Sequence, residues 1–190
     1  VNQGSEDVVV DGTYLLPAGG PVTRSYTVPA RGRATIWANT EDPALVATAV
    51  AARFIARTGA IVAERSMYLK TADGQWKGGH TGAGLPAPGI DRVFAEGSTA
   101  GTMETYLLLA NPSPSEAVVR VTYVREAGAP VAVSHVVPPW SRIDAVMSLD
   151  APELGQVSAG ILVHSTNGAS EVTEPLTTQA AARAQCSRTT

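Results

Sequence analysis

The sequence predicts an all-β chain of two tandem immunoglobulin-like β-sandwich modules, the first lacking its N-terminal strands. Three observations carry this. The segment from Asp11 to Pro29, DGTYLLPAGGPVTRSYTVP, returns from Arg120 to Pro138 as RVTYVREAGAPVAVSHVVP. The composition is 44% hydrophobic but only 5% aromatic, and its wealth of Val, Ala, Thr, Gly and Pro suits short strands and tight turns. Short apolar-alternating stretches broken by turn residues recur with the rhythm of a sandwich.

The Thr-Tyr pairs of the two segments end at Tyr14 and Tyr123, an offset of 109 residues. Gly19 and Gly128, Pro21 and Pro130, Pro29 and Pro138, Arg33 and Arg142, Pro43 and Pro152, and Gly59 and Gly168 keep the same offset. A repeat of that length is a whole domain. The 190 residues therefore divide into two units, each large enough to bury a core.

In the second unit, candidate strands fall at Arg92 to Ala95, Glu104 to Ala110, Ala117 to Arg125, Val131 to Val137, Ser141 to Met147, Val157 to Ser165 and Ser170 to Thr177. Breaks at AEGST, NPSPS, EAGAP, PPW, LDAPELG and TNG separate them. In AVVRVTYV, Val119, Val121 and Tyr123 share one face and Arg120 and Thr122 the other, so one face is buried and one wet. The first unit repeats this with Val10, Gly12 and Tyr14 against Asp11 and Thr13, and with Tyr26 and Val28 against Ser25 and Thr27. A slip of one residue would bury Asp11 or Arg120, which fixes the register. Pro29 and Pro138 end strands because proline cannot donate to a ladder.

The stretch GGHTGAGLPAPGIDR, Gly78 to Arg92, lacks periodicity and is dense in Gly and Pro, which places the linker there. The boundaries are drawn at 1–83 for the first unit, 84–91 for the linker, 92–177 for the second unit and 178–190 for a tail. Applying the offset to Tyr106 and Leu109 leads to positions before residue 1, so the first unit starts at its third strand. A sandwich so opened exposes an apolar groove and an unpaired edge. Residues upstream of Val1, or a strand from another chain, are expected to complete it. The tail TQAAARAQCSRTT has no alternating apolar residues and is a poor donor.

The formal net charge is -3 with no basic run, which argues against nucleic acid or an anionic membrane as a partner. A single cysteine, Cys186, excludes an intrachain disulfide. The opening VNQGSED lacks the charged and then apolar pattern of a secretory signal. The longest mainly apolar stretch, Ala44 to Ala56, is too short to span a bilayer, so the chain reads as soluble.

Chemistry-bearing residues are scattered. His80, His135 and His164 have no second ligand at metal spacing. His135 stands where the first unit has Tyr26, and reads as a partly buried core residue with a backbone partner. His164 reads as part of an edge-like strand, and His80 as part of the linker. GSTAG, Gly97 to Gly101, has the outline of a nucleophile elbow, but Thr99 holds the serine position and no helix follows, so it reads as a turn. LPAPG, Leu85 to Gly89, reads as linker. Asp73, Glu96, Asp144 and Asp150 occur singly, and DGQW, Asp73 to Trp76, is a hairpin turn of Asp-Gly type. Calcium loops need closer acidic spacing. Of the tryptophans, Trp37 reads as packing, while Trp140, after two prolines at a turn, reads as exposed. No catalytic, cofactor-binding or metal-ligating residue is assigned, and no cofactor is expected. Trp140 is the one candidate ligand contact.

At RVFAEGSTAGTMETYLLLANPSPSEAVVRVTYV, at VVPPWSRIDAVMSLDAPEL, and at SYTVPARGR and AIVAERSMY with GGHTGAG after it, the chain resembles bacterial extracellular tandem β-sandwich repeats of unknown function, as in actinobacterial-type surface proteins. The resemblance covers nearly the whole chain. The second unit departs from it, with EVTEPLT where the first has IVAERSMY, as a terminal diverged repeat would. The family supplies no catalytic residues. It implies a non-catalytic extracellular or cell-surface module, a spacer, scaffold or adhesive stalk of a secreted or surface protein. A fibre or surface-layer subunit assembled by strand exchange, and a carbohydrate-binding accessory module using Trp140, are the alternatives. The implied partners are other protein chains or neighbouring repeats through exposed strand edges, with cell-wall polysaccharide next.

Overall fold

The computed structural model describes residues 1–70, 74–167 and 171–179, with the backbone alone at 69, 70, 76–78 and 171–179. The chain divides into two compact units that meet in sequence between Gly84 and Leu85. Among the described residues it is built of antiparallel sheets with a few short helical turns, an all-β fold.

The second unit holds seven strands: β6 (Asp91–Ser98), β7 (Met103–Asn111), β8 (Ala117–Arg125), β9 (Val131–Val137), β10 (Ser141–Val146), β11 (Ser158–Ser165) and β12 (Glu171–Gln179). They form one sheet in the order β10-β7-β12 and another in the order β6-β11-β8-β9. Alternation dictates which side is buried: Ala117, Val119, Val121 and Tyr123 of β8 point inward, and Arg120 is exposed. They meet Leu107 and Leu109 of β7 and Ala159, Ile161 and Val163 of β11 in a single core cluster fed by both sheets. Each Val or Leu buried this way contributes about 1.5–3 kcal/mol. The strand order differs from that of an immunoglobulin domain, where the first strand lies beside the second and the seventh beside the sixth. Here β6 lies against β11 and β12 against β7.

β10 stops at Val146, one residue short of the predicted end, because Met147–Asp150 is a helical turn, α2, that carries the Met147 side chain into the core. A 3-10 turn at Pro152–Leu154 follows. Proline cannot extend a ladder but suits the first turn of a helix, which explains its place.

The first unit has, among its described residues, β1 (Val8–Leu15), β2 (Val22–Val28), β3 (Ala51–Ala56), β4 (Glu64–Lys70) and β5 (Trp76–Ala83). β1 to β3 form a sheet in the order β2-β1-β3, and β4 and β5 a separate hairpin. The repeat is structural down to single rungs. Val8 opposite Val28 matches Ala117 opposite Val137, and Val10 opposite Ala56 matches Val119 opposite Ser165. Even the short turns recur at the offset, with α1 at Ala38–Glu41 and a 3-10 turn at Pro43–Leu45. The stretch predicted as linker is partly strand, since residues 78–83 belong to β5.

The units differ where β7 would lie. Residues 32–37, the counterparts of β10, form no strand, and β4, the counterpart of β12, pairs with β5 instead. The core is correspondingly split. One cluster gathers Val8, Val10 and Val28, another Tyr14, Leu16 and Leu45, and Phe54 packs against both.

Candidate functional site

Two polar clusters, one part-buried and one built on a buried asparagine, recur at the same place in each unit. In the second, the Tyr123 hydroxyl donates to Asp150 Oδ2 at 3.0 Å, and His135 Nε2 lies 2.9 Å from the same oxygen. β8 supplies the tyrosine, β9 the histidine and α2 the carboxylate. In the first unit, Tyr26 donates to Glu41 Oε2 at 2.8 Å and its hydroxyl lies 2.6 Å from that of Tyr14. Since the single Tyr26 proton is committed to the carboxylate, Tyr14 is the donor in that pair. Burial pushes the phenols of Tyr14, Tyr26 and Tyr123 above their ordinary range, which keeps them protonated donors. The cluster pins a helical turn to the sheet below it. Its members change identity together, Tyr with Glu in one unit and His with Asp in the other; the second-strand ring reaches the carboxylate in both, whereas Tyr123 bonds Asp150 directly and Tyr14 reaches Glu41 only through Tyr26.

His135 therefore has a carboxylate partner rather than the backbone partner expected from sequence, and Asp150 is not a solitary acid. The reason is folding distance: α2 brings residues 135 and 150 together, which no local spacing announces.

A second recurring element is an asparagine. Asn111 donates through Nδ2 to the carbonyls of Ser115, Val137 and Pro138 at 2.7, 3.0 and 3.1 Å, while its Oδ1 accepts from the Ser113 amide. Asn2 does the same toward Glu6, Val28 and Pro29, with Gly4 donating to its Oδ1. Both are buried. Each asparagine joins the loop before one strand to the end of the strand's hairpin partner. Extending the repeat offset to residues 2 and 111 would have found the pair in the sequence.

On the surface of the first unit, Asp11 of β1 accepts two hydrogen bonds from Arg57, each 2.8 Å, and one from Ser25. Bonding to Arg57 first, and to Ser25 next, lowers its carboxyl to about 2. A depressed carboxylate stabilises the fold above its unfolded pKa, and that contribution fades as pH falls through the folded value. Denaturation of the first unit is thus expected to lose stability from about pH 4 to about pH 2. The Asp11→Asn variant should show a smaller acid loss over that window, and an unchanged acid limb would refute the assignment.

The other singled-out residues do not converge. His164 is exposed and 2.7 Å from Asp91, on β11, an interior strand of its sheet rather than an edge. His80 lies in β5, not in a linker. The Thr99 hydroxyl is buried and donates to the Gly155 carbonyl at 2.7 Å, so GSTAG is a turn with its hydroxyl occupied. Asp144 pairs with the buried guanidinium of Arg142. Asp73, Cys186 and the side chain of Trp76 lie outside the described residues. Among the described residues, no group of three His, Cys, Asp or Glu could hold a metal ion.

Of the tryptophans, Trp37 departs from the packing role expected of it. Trp37 is 68% exposed, and among the described residues no strand pairs with its segment. Trp140 is half-buried, and its backbone sits at φ 52, in the left-handed region, with its amide donating to the Ser113 carbonyl. Arg31 holds the same conformation at φ 51 and donates to the Gly4 carbonyl. The unusual backbone at Trp140 thus belongs to the repeated turn, not to the indole.

A surface hollow of about 490 Å³ lies between residues 1–8 and 58–62. Asn2 and Asp7, two polar side chains of its wall, are already bonded to backbone of the following hairpin. No family model matches the chain, and neither the curated proteins nor the solved structures give a match.

Proposed function

We propose that the chain is a non-catalytic structural segment of a bacterial extracellular or surface protein, a spacer or stalk built by repeating one β-sandwich body. The supporting observation is the use made of the buried polar residues that recur between units. Asn2 and Asn111 hold hairpins, and the Tyr-carboxylate clusters hold helical turns, so each carries a fold-building bond at the 109-residue offset. Reactive sites are seldom duplicated with their acid and ring exchanged, whereas tethers tolerate this. No helix among the described residues is long and apolar enough to cross a membrane.

The experiment is a turnover screen with ester, peptide, glycoside and phosphate-ester substrates, run beside Asp150→Asn and Glu41→Gln variants. The expected result is no turnover above background. A hydrolytic rate abolished by either substitution would overturn the proposal.

A further inference from the structure

The outer face of the sheet β6-β11-β8-β9 carries a charged row beside an apolar one. Register sets Asp91, His164, Arg120 and Ser134 abreast across the four strands, and Val93, Leu162, Thr122 and Ala132 abreast two residues along. All but the half-buried Thr122 are exposed, Val93 at 71% and Leu162 at 43%. Val124 and Val136, exposed as well, extend the apolar part on β8 and β9. The core takes the alternate residues of these strands, such as Val121, Ile161 and Val163, so the outer side chains contribute nothing to it.

The first unit shows that the fold does not ask for the apolar row. At the repeat offset, Leu162 corresponds to Arg53, and Thr122 and Ala132 to Thr13 and Thr23. The charges differ in how they are met. Asp11, the counterpart of Arg120, is neutralised within its own unit by Arg57. Thr166 stands where Arg57 would be, and Arg120 forms no ion pair among the described residues. On the strand between the two charges, His164 lies 2.7 Å from Asp91. The second unit thus presents an aliphatic stripe flanked by one acid and one unmatched base, placed symmetrically about β11.

We propose that this face is the contact of a symmetric dimer, its occupant the same face of a second copy. Sheets packed face to face keep their strands within about 30° of each other and stand about 10 Å apart. A two-fold axis running along β11 lays β6 of each copy over β8 of the other, so Asp91 meets the partner's Arg120, and the contact is made twice. Leu162 then meets the partner's Leu162 at the axis, and Val93 the partner's Thr122. The charges select this axis: one along β8 would set Arg120 against the partner's Arg120, and one crossing the strands at the charged row would set every charge against its like. Four strands and the seven rungs shared by β8 and β11 make a face of about 19 Å by about 23 Å. That is small for a specific interface, so the dimer is reversible. The inference goes beyond the spacer reading and does not depend on it.

Sedimentation of the full chain over a range of concentrations tests it, and the unmodified chain is expected to pass from monomer to dimer. Asp91→Arg sets two arginines at each contact and Arg120→Asp two aspartates, so each variant alone is expected to self-associate at least about 100-fold more weakly. Mixed in equal amounts, the two are expected to restore the dimer, because every contact then joins an arginine of one variant to an aspartate of the other. Leu162→Arg, which gives the second unit the residue the first carries as Arg53, is expected to leave a monomer with unchanged circular dichroism and unfolding midpoint. An unmodified chain that stays monomeric at about 1 mM would overturn the proposal. So would a mixture no more associated than its components, or a dimer indifferent to Leu162→Arg, which would place the contact elsewhere on the chain.

Discussion

Replacing Asn111 by alanine is expected to lower the stability of the second unit by about 3 kcal/mol, more than the loss of one hydrogen bond of about 1 kcal/mol. The carboxamide is fully buried and gives two hydrogens to three carbonyls, so one bond is shared, while its oxygen takes the Ser113 amide and hydroxyl. Truncation takes this partner from the Val137 carbonyl, whose bond is buried, and from the part-buried Ser113 amide, and buried polar groups are costly unpaired. The orientation of the amide is fixed by the same network, since turning it would set its oxygen against three carbonyls. Asn111→Asp is the sharper variant: it keeps the shape but sets carboxylate oxygen against those carbonyls, and is expected to be at least as damaging. Denaturant unfolding followed by amide exchange reads the second unit by its own amides. A loss below about 1 kcal/mol in both variants would show that the asparagine is a bystander. The parallel change Asn2→Ala is expected to act on the first unit.

How much of this was legible in sequence depends on how far apart the deciding residues lie. The strands of the second unit could be drawn within a few residues because β8 alternates visibly, with Val119, Val121 and Tyr123 inward. The inward face of β1 followed from the same pattern. Four-residue turns such as Met147–Asp150 have too little length for any periodicity, so β10 was drawn too long. Strand order was beyond reach as well: β6 against β11 and β12 against β7 are pairings across most of a unit, and alternation says which face is buried, not who the neighbour is. The polar clusters needed both kinds of information. Tyr26 and His135 were matched by the offset, but their carboxylates, Glu41 and Asp150, stand on turns that only the folded chain brings back. Trp37 departs from expectation for the opposite reason, since an indole ordinarily seeks a core, and here it stands exposed on a segment that no strand among the described residues pairs with.

The two units also solve one packing problem with different residues. At a single cross-strand position the first unit pairs Gly12 with Phe54, and the second pairs Val121 with Val163. The glycine is needed for space: a Cβ there would stand 2.9 Å from Phe54 Cε1 and 3.1 Å from Tyr26 Cε2. Phe54 cannot easily retreat, because its ring is packed T-shaped against Tyr14 at a centroid distance of 6.2 Å and against Tyr26 at 6.4 Å. Gly12→Val is therefore expected to destabilise the first unit by about 2–3 kcal/mol through overpacking, despite the better strand propensity of valine. Phe54→Val alone is expected to cost about 2–3 kcal/mol by emptying the same space and loosening the one ring that touches both core clusters. Combined, the two changes recreate the Val-Val pair of the second unit, so the double variant should be more stable than the sum predicts by about 2 kcal/mol. A double-mutant cycle on the first unit measures that coupling directly. Simple additivity would mean that Gly12 and Phe54 do not share one volume, and that the glycine serves the strand's path rather than the ring.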